Sequence, residues 1–336
     1  MHIPTASPAH CLNFTFFRHH VSLTNNTRPI PHPEQSHKNP YLYWPMSTAV
    51  RKISPSVSLI DETADTKQGP QHSLHLLAGP GSFSLALIND ATNKFVGLES
   101  YNLQNVFSTE SLVQTLEQII DAHRFLKVNY SSVFFAFDNY KSTLIPEALF
   151  DPGNTESYLR FNHILNAGDL ILTDQLRNIE SRNVFVFPSL LKDMLLKYYP
   201  KIQIRHHSSA LIESLAMRYK NESKPKLVLH ISLTHFEIIL FEGKHLRFYN
   251  TFRHQTSEDF IYYLLFVCEQ LKLNPETLEL VLIGEIEKNS AIYAILYKYI
   301  RNIRFGERPE AFAYCQPLNT LPKHFYTNLF SQQLFR

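Results

Sequence analysis

The order strand, strand, strand, helix, strand occurs twice in this chain, each time over about 60 residues, and no other feature narrows the fold so far. The first copy opens near residue 72 as HSLHLLAGPGSFSLALINDATNKFVGLESYNL. It has three strand-like runs split by the turn signals Gly-Pro-Gly and Asn-Asp-Ala-Thr-Asn. SLVQTLEQIIDAHRFLK then places Leu112, Leu116, Ile119, Ile120 and Phe125 on broadly one helical face, with Thr109 or Ser111 as the expected N-cap. A buried strand, SSVFFAFDN, closes the copy. The second copy opens at Lys226 with KLVLHISL and FEIILFE, then turns at Gly243 into KHLRFYNTF. The helix SEDFIYYLLFVCEQLKL follows, with Ser257 as the expected cap and an acidic first turn, and ends before Asn274-Pro275. LELVLIGE is its closing strand. The two copies share pattern, not residues.

Each copy also continues alike. After the first come the strand NVFVF, a helix from Ser189 to Tyr199, the strand KIQIR and the helix SALIESLAMRYK. After the second come the helix NSAIYAILYKYI and the strand NIRFGE. Two βββαβα units in one α/β chain are the layout of the two-lobed actin-like, or ribonuclease-H-like, fold. In that layout three strands form an antiparallel meander, later strands join the mixed sheet through helical crossovers, and a ligand sits between the lobes. The expected division is an extension over 1–55, a first lobe over 56–222, a second over 223–306, and a tail over 307–336. In the tail, Phe325, Leu329 and Leu334 suit a short helix returning to the first lobe.

The segment from Met1 to Trp44 differs from the rest. Prolines stand at 4, 8, 29, 31, 33 and 40 among His, Asn, Ser and Thr, and no strand or helical period persists. Such a segment cannot bury enough apolar surface to offset its ordering entropy, so disorder is expected. MSTAVRKISPSVSLIDE, from Met46, reads like an ordinary protein start, so the first 45 residues are expected to be an upstream extension.

SVSLIDET near residue 57, the hairpin SLTHFEIILFEGKHLRFYNTF and the C-terminal PLNTLPKHFYTNLFS resemble the bacterial family catalogued as domain of unknown function 3822. The resemblance covers roughly residues 55 to 336. It implies the actin-like ATPase fold and a source among the Bacteroidetes, and it brings no activity with it. The second-copy hairpin is also similar in layout to the pilus-assembly protein PilM.

An actin-like ATPase holds Mg-nucleotide with two strand-turn-strand loops and a glycine turn. Each loop offers an Asp for metal-bound water and a Gly that lets backbone N–H groups approach phosphate. In LLAGPGSFS, Gly79 and Gly81 can form the turn, but Ala78 stands about where the carboxylate belongs. In HISLTHFE, His230 occupies the Asp position and Ser232 the Gly position. Neutral imidazole is a poor ligand for Mg²⁺, which prefers oxygen. The third signature survives as LIGEIE, a single Gly284 followed by acids that repel phosphate. Asp138, ending SSVFFAFDN, is the remaining cleft carboxylate; a strand-terminating Asx-turn with Asn139 competes with a catalytic role. His206-His207 reads as loop and helix-start polarity, since neighbouring strand residues point to opposite faces and cannot share one ion. No GxSxG, HExxH, GxxxxGK[ST] or GxGxxG occurs.

The net charge of +2 and the absence of long basic runs give no footing for a nucleic-acid partner. No apolar run approaches the ~20 residues of a membrane span. Cys11, Cys268 and Cys315 are too far apart for a zinc knuckle and suggest no disulfide framework, which fits a reducing cytoplasmic compartment. With all three nucleotide signatures degraded, the sequence favours a non-catalytic pseudo-ATPase that binds or scaffolds a protein partner, with no cofactor and no metal. The aromatic surplus, Phe 25 and Tyr 17, is divided between core and contact surface. The alternative is a divergent ATP-dependent enzyme of the actin-like or sugar-kinase class, using Asp138 or the acids after Gly284 to hold Mg²⁺.

Overall fold

In a computed structural model, residues 53–335 are described, Thr63 excepted. The expectations for Met46, Cys11 and nearly all of the 1–55 extension lie outside the described residues. Two mixed sheets of like topology organise the chain. The first is built from β1 (Val57–Ile60), β2 (His72–Gly79), β3 (Ser82–Asn89), β4 (Lys94–Asn102), then, after helix α1 (Thr109–Ala122), β5 (Ser132–Phe137). There follow β6 (Ser142–Pro146), α2 (Thr155–Arg160), β7 (Asp169–Leu176), β8 (Ser181–Pro188), α3 (Ser189–Tyr198), β9 (Gln203–His206) and α4 (His207–Tyr219). The second sheet comes from β10 (Lys226–Ile231), β11 (His235–Glu242), β12 (His245–Arg253), α5 (Ser257–Gln270), β13 (Glu279–Gly284), α6 (Ala291–Tyr299) and β14 (Asn302–Phe305). The tail adds β15 (Ala313–Tyr314) and α7 (Thr327–Ser331).

The strand orders are β4-β3-β2-β5-β9 and β12-β11-β10-β13-β14. In both, the first three strands pair antiparallel and the last two add in parallel, so the repeat read from the sequence is a repeat of topology. β1 and β15 extend the outer edge of β4, which makes the first sheet seven-stranded.

One sequence expectation is corrected here. NVFVF does not continue the first sheet; as part of β8 it forms a separate antiparallel sheet, β6-β8-β7, inserted between β5 and α3. The helix caps shift as well. Ser108, rather than Thr109 or Ser111, caps α1, and Ser111 returns a bond to the Ser108 N–H at 3.1 Å. Thr256, rather than Ser257, caps α5 in a box with Asp259. The side-chain oxygen must reach back from a residue in extended conformation, and only Ser108 and Thr256 stand one step before the first helical residue.

Both faces of both sheets are covered, as the near-continuous apolar strands require. On one face of the first sheet, Leu74, Leu76, Phe83 and Leu85 pack with Leu116, Ile120, Leu191 and Leu195 of α1 and α3. The alternate residues Leu77, Ala86, Ile88 and Phe95 meet Leu329 and Phe330 of the tail. In the second sheet, Leu227, Leu229, Phe236 and Ile238 face Phe260 and Leu264 of α5. Their alternates, Val228, Ile239, Phe241 and Val281, face Leu211, Ile212 and Leu215 of α4. Each such buried side chain contributes roughly 1.5–3 kcal/mol. α4 and α7 touch one another, so the inner faces of the two sheets are joined through these helices.

Candidate functional site

The period-two alternation decides what points inward. On β10, Val228 belongs to the α4-facing side, and so does His230 two residues on. On β11, Ile239 and Phe241 face α4, and by the same step so do Glu237 and His235. His230 and Glu237 lie directly opposite each other in the antiparallel register. The first helical residue of α4, His207, and the residue just after β5, Asp138, meet them from the first sheet's side.

The result is a buried ionic cluster. His207 Nε2 lies 3.3 Å from Asp138 Oδ1 and 3.1 Å from Glu237 Oε1. His235 Nε2 lies 3.0 Å from the same Asp138 oxygen and 3.3 Å from the same Glu237 oxygen. The other Glu237 oxygen is 2.7 Å from His230 Nδ1. All five residues are buried, Glu237 and His207 completely. Burial by itself disfavours every one of these charges, yet opposite charges in contact outweigh it. Burial would raise the Asp138 and Glu237 carboxyls; the imidazoles of His207 and His235 hold both well below the usual carboxylate range instead. Burial would lower His207 and His235; the two carboxylates hold them above the usual histidine range.

His206 takes a different path from its neighbour. It is fully buried at the end of β9, so the expected loop polarity of His206-His207 is corrected. Its Nε2 donates to the Asn139 carbonyl at 3.0 Å and its Nδ1 pairs with the Ser208 hydroxyl at 2.8 Å. Burial, together with the positive charge of His207, pushes it well below the usual histidine range. The two histidines do not converge on one point, because the strand ends between them.

The residues singled out in the sequence come together around this cluster. The β2–β3 turn and the β10–β11 turn face each other: a Cβ on Gly81, where φ is +90°, would lie 2.7 Å from Leu233 Cδ2. A Cβ on Gly79 would lie 2.7 Å from both Cβ and the carbonyl oxygen of Asp138, so glycine lets the end of β5 close against β2. Gly284, at φ +89°, crosses β10 so tightly that a Cβ would meet the Ile231 carbonyl at 2.3 Å. Its N–H goes to the His324 carbonyl at 2.9 Å, and that of Glu285 to Ile231 at 2.8 Å.

The cavity between the turns is lined by Pro80, Asp138, His230, Ser232, Gly284 and Glu285 among others, and encloses about 20 Å³. That is room for one water, against the ~300–1,000 Å³ of ligand pockets. No Lys or Arg lines it. A more open hollow of about 420 Å³ beside it is bordered by Glu285, Glu287 and Phe325, again without a cation.

Sequence reasoning missed His235 and Glu237, and set His207 aside as helix-start polarity. The signal was present: HFE puts His235 and Glu237 on one strand face, opposite His230. What the sequence lacked was the partner from α4.

Compared with known proteins, the chain matches the family described as "Protein of unknown function (DUF3822)" over residues 61–303. No curated protein matches it. A Bacteroides thetaiotaomicron protein, described as having an actin-like ATPase fold and unknown function, is similar at 23% identity and a TM-score of 0.66. That likeness covers 77% of this chain and 99% of the other. A chain of the PilM–PilN type IV pilus biogenesis complex is similar at 13% identity and a TM-score of 0.53, over 79% of this chain and 98% of that one. The chain therefore has the actin-like ATPase fold. Among the described residues no helix is long and apolar enough to cross a membrane.

Proposed function

The chain belongs to the DUF3822 family, and we propose that it is a non-catalytic member of the actin-like fold, a pseudo-ATPase that binds or scaffolds a protein partner. One observation carries the reading. The place where the fold's two hairpin turns would cradle phosphate is closed to about 20 Å³ and is lined by no Lys or Arg. Asp138, one of the carboxylates open to the alternative ATP-dependent enzyme, has its Oδ1 turned into the buried histidines rather than toward an open cleft. The close crossings at Gly79 and Gly284 give those glycines a packing role in place of phosphate contact.

A partner of protein type is the reading consistent with a frame lacking a nucleotide site. PilM, which shares the fold, is described in a complex with PilN. On this chain, Tyr262 and Phe266 stack at 6.3 Å on the outer face of α5 and remain 63% and 39% exposed, a pair able to serve a contact.

The test is a thermal-shift titration of the full chain with Mg-ATP. A ligand at ~100 times its dissociation constant adds about 2.7 kcal/mol of stability and raises the midpoint by several degrees. No shift at millimolar Mg-ATP is expected. A magnesium-dependent rise shows a nucleotide site instead, and ATP hydrolysis that is lost in Asp138→Asn favours the ATP-dependent alternative.

A further inference from the structure

We propose that Asp138, His207, His235 and Glu237 form a closed, zinc-type divalent metal site that fastens the first sheet to the second. The argument begins with direction. Asp138 Oδ1, His207 Nε2, His235 Nε2 and Glu237 Oε1 approach one another as alternating nitrogen and oxygen, yet none of these buried atoms makes a hydrogen bond of acceptable direction. Buried polar atoms are almost always satisfied, so four neighbouring orphans, with His207 and His235 each between the Asp138 and Glu237 oxygens, indicate a common partner.

Distance gives the second argument. The four nitrogen–oxygen separations run from 3.0 to 3.3 Å. Ligand atoms at about 2.0–2.1 Å from a tetrahedral Zn²⁺ stand about 3.3 Å apart. One donor atom from each of Asp138, His207 and His235 already lies within 4.8 Å of the others, and the same holds for His207, His230 and Glu237.

Chemistry gives the third. Two imidazoles and two carboxylates suit a borderline first-row dication, whereas Mg²⁺ and Ca²⁺ take oxygen sets. Two carboxylates also neutralise the dication, which makes the complex tolerable in a site from which water is excluded. Supporting contacts orient the donors. His235 Nδ1 meets the Thr234 hydroxyl at 3.2 Å, leaving Nε2 as the inward atom, and His230 holds the far oxygen of Glu237 at 2.7 Å. His207 departs from this pattern, since its Nδ1 has no partner. Four protein donors leave no open coordination position, so the site is structural rather than catalytic. A resident ion would occupy Asp138 and leave only the acids after Gly284 to the ATP-dependent alternative.

The test is metal analysis of the full chain expressed with zinc in the medium and desalted. About one zinc per chain is expected, removable by a strong chelator with a fall in melting temperature and restored by Zn²⁺ but not by Mg²⁺. Co²⁺ substituted for zinc should show the intense visible bands of a tetrahedral N/O site. His235→Gln should lose the ion. Because a buried change can unfold the chain, Thr234→Ala serves beside it; that exposed position should weaken zinc affinity ~10–100-fold with the fold intact. Protein that neither carries zinc nor is stabilised by added zinc overturns the assignment. So does zinc content that persists unchanged in His235→Gln, which would place the ion on other histidines.

Discussion

Replacing Gly284 with alanine tests whether the surviving glycine of the third nucleotide signature holds packing or phosphate. The residue sits at φ +89°, where an L side chain is strained by roughly 1–3 kcal/mol. The new Cβ would also lie 2.3 Å from the Ile231 carbonyl and 2.9 Å from its nitrogen, both backbone atoms that cannot swing aside. Relief requires β13 to move off β10 at the end of their parallel ladder, where Gly284 is in register with Ile231. Overpacking of this kind costs a further ~1–3 kcal/mol, so the total is about 2–6 kcal/mol. Urea unfolding followed by far-UV circular dichroism reads it. With a slope of about 1–3 kcal/mol per molar, the midpoint falls by roughly 0.7 M or more. Gly243→Ala is the control. Its φ is +58°, but the added Cβ meets only the Glu222 carbonyl at an ordinary 3.6 Å, so about 1 kcal/mol is expected. If Gly284→Ala in ligand-free protein costs no more than Gly243→Ala, the close crossing is not what the glycine is for, and the packing argument fails.

Phe330→Ala should cost about 3–5 kcal/mol by calorimetry, because the ring is wholly buried against Phe95 at 4.7 Å and holds the tail to the first sheet; a loss under 1 kcal/mol would mean the tail contributes little there. Asp174 gives a pH test. Burial pushes its carboxyl up to about 6, against the Arg205 guanidinium and the His206 N–H, which favour ionisation. A raised carboxyl makes the folded state bind more protons, so its contribution is full below about pH 4 and is lost as pH rises through 6. Asp174→Asn, which keeps an acceptor for the His206 N–H, should therefore gain on the natural protein by about 2–3 kcal/mol between pH 4 and 7. A stability difference that is constant across that range would contradict the shift.

The parts of this molecule that were legible in its sequence are those with local causes. Period-two apolar runs and an amphipathic stretch of about four turns mark β2–β5, α1 and their counterparts β10–β13 and α5, whatever surrounds them. β6 and β7 escaped notice because Ser142–Pro146 carries a proline and is only half-buried, while Asp169–Leu176 follows a long irregular segment that conceals its pairing with β8. At the site, Gly79, Gly81, His230, Ser232, Gly284 and Asp138 could be picked out because the fold assigns positions to them in sequence order. The cluster they adjoin could not. His207 reaches Glu237 across 30 positions only because β9 ends at His206 and α4 begins at once, which swings the next side chain toward β11. No spacing rule encodes that turn.

The central claim is that the junction between the two hairpin turns is closed without nucleotide, and hydrogen–deuterium exchange reads it at the residues concerned. The Asp138 N–H is held by Ala78 at 2.8 Å, the Ser232 N–H by His235 at 3.0 Å, and the Glu285 N–H by Ile231 at 2.8 Å. These amides are predicted to exchange slowly in ligand-free protein and at the same rate in millimolar Mg-ATP. Fast exchange at these three positions that slows when Mg-ATP is added would show an open clamp that closes on nucleotide, and would contradict the account.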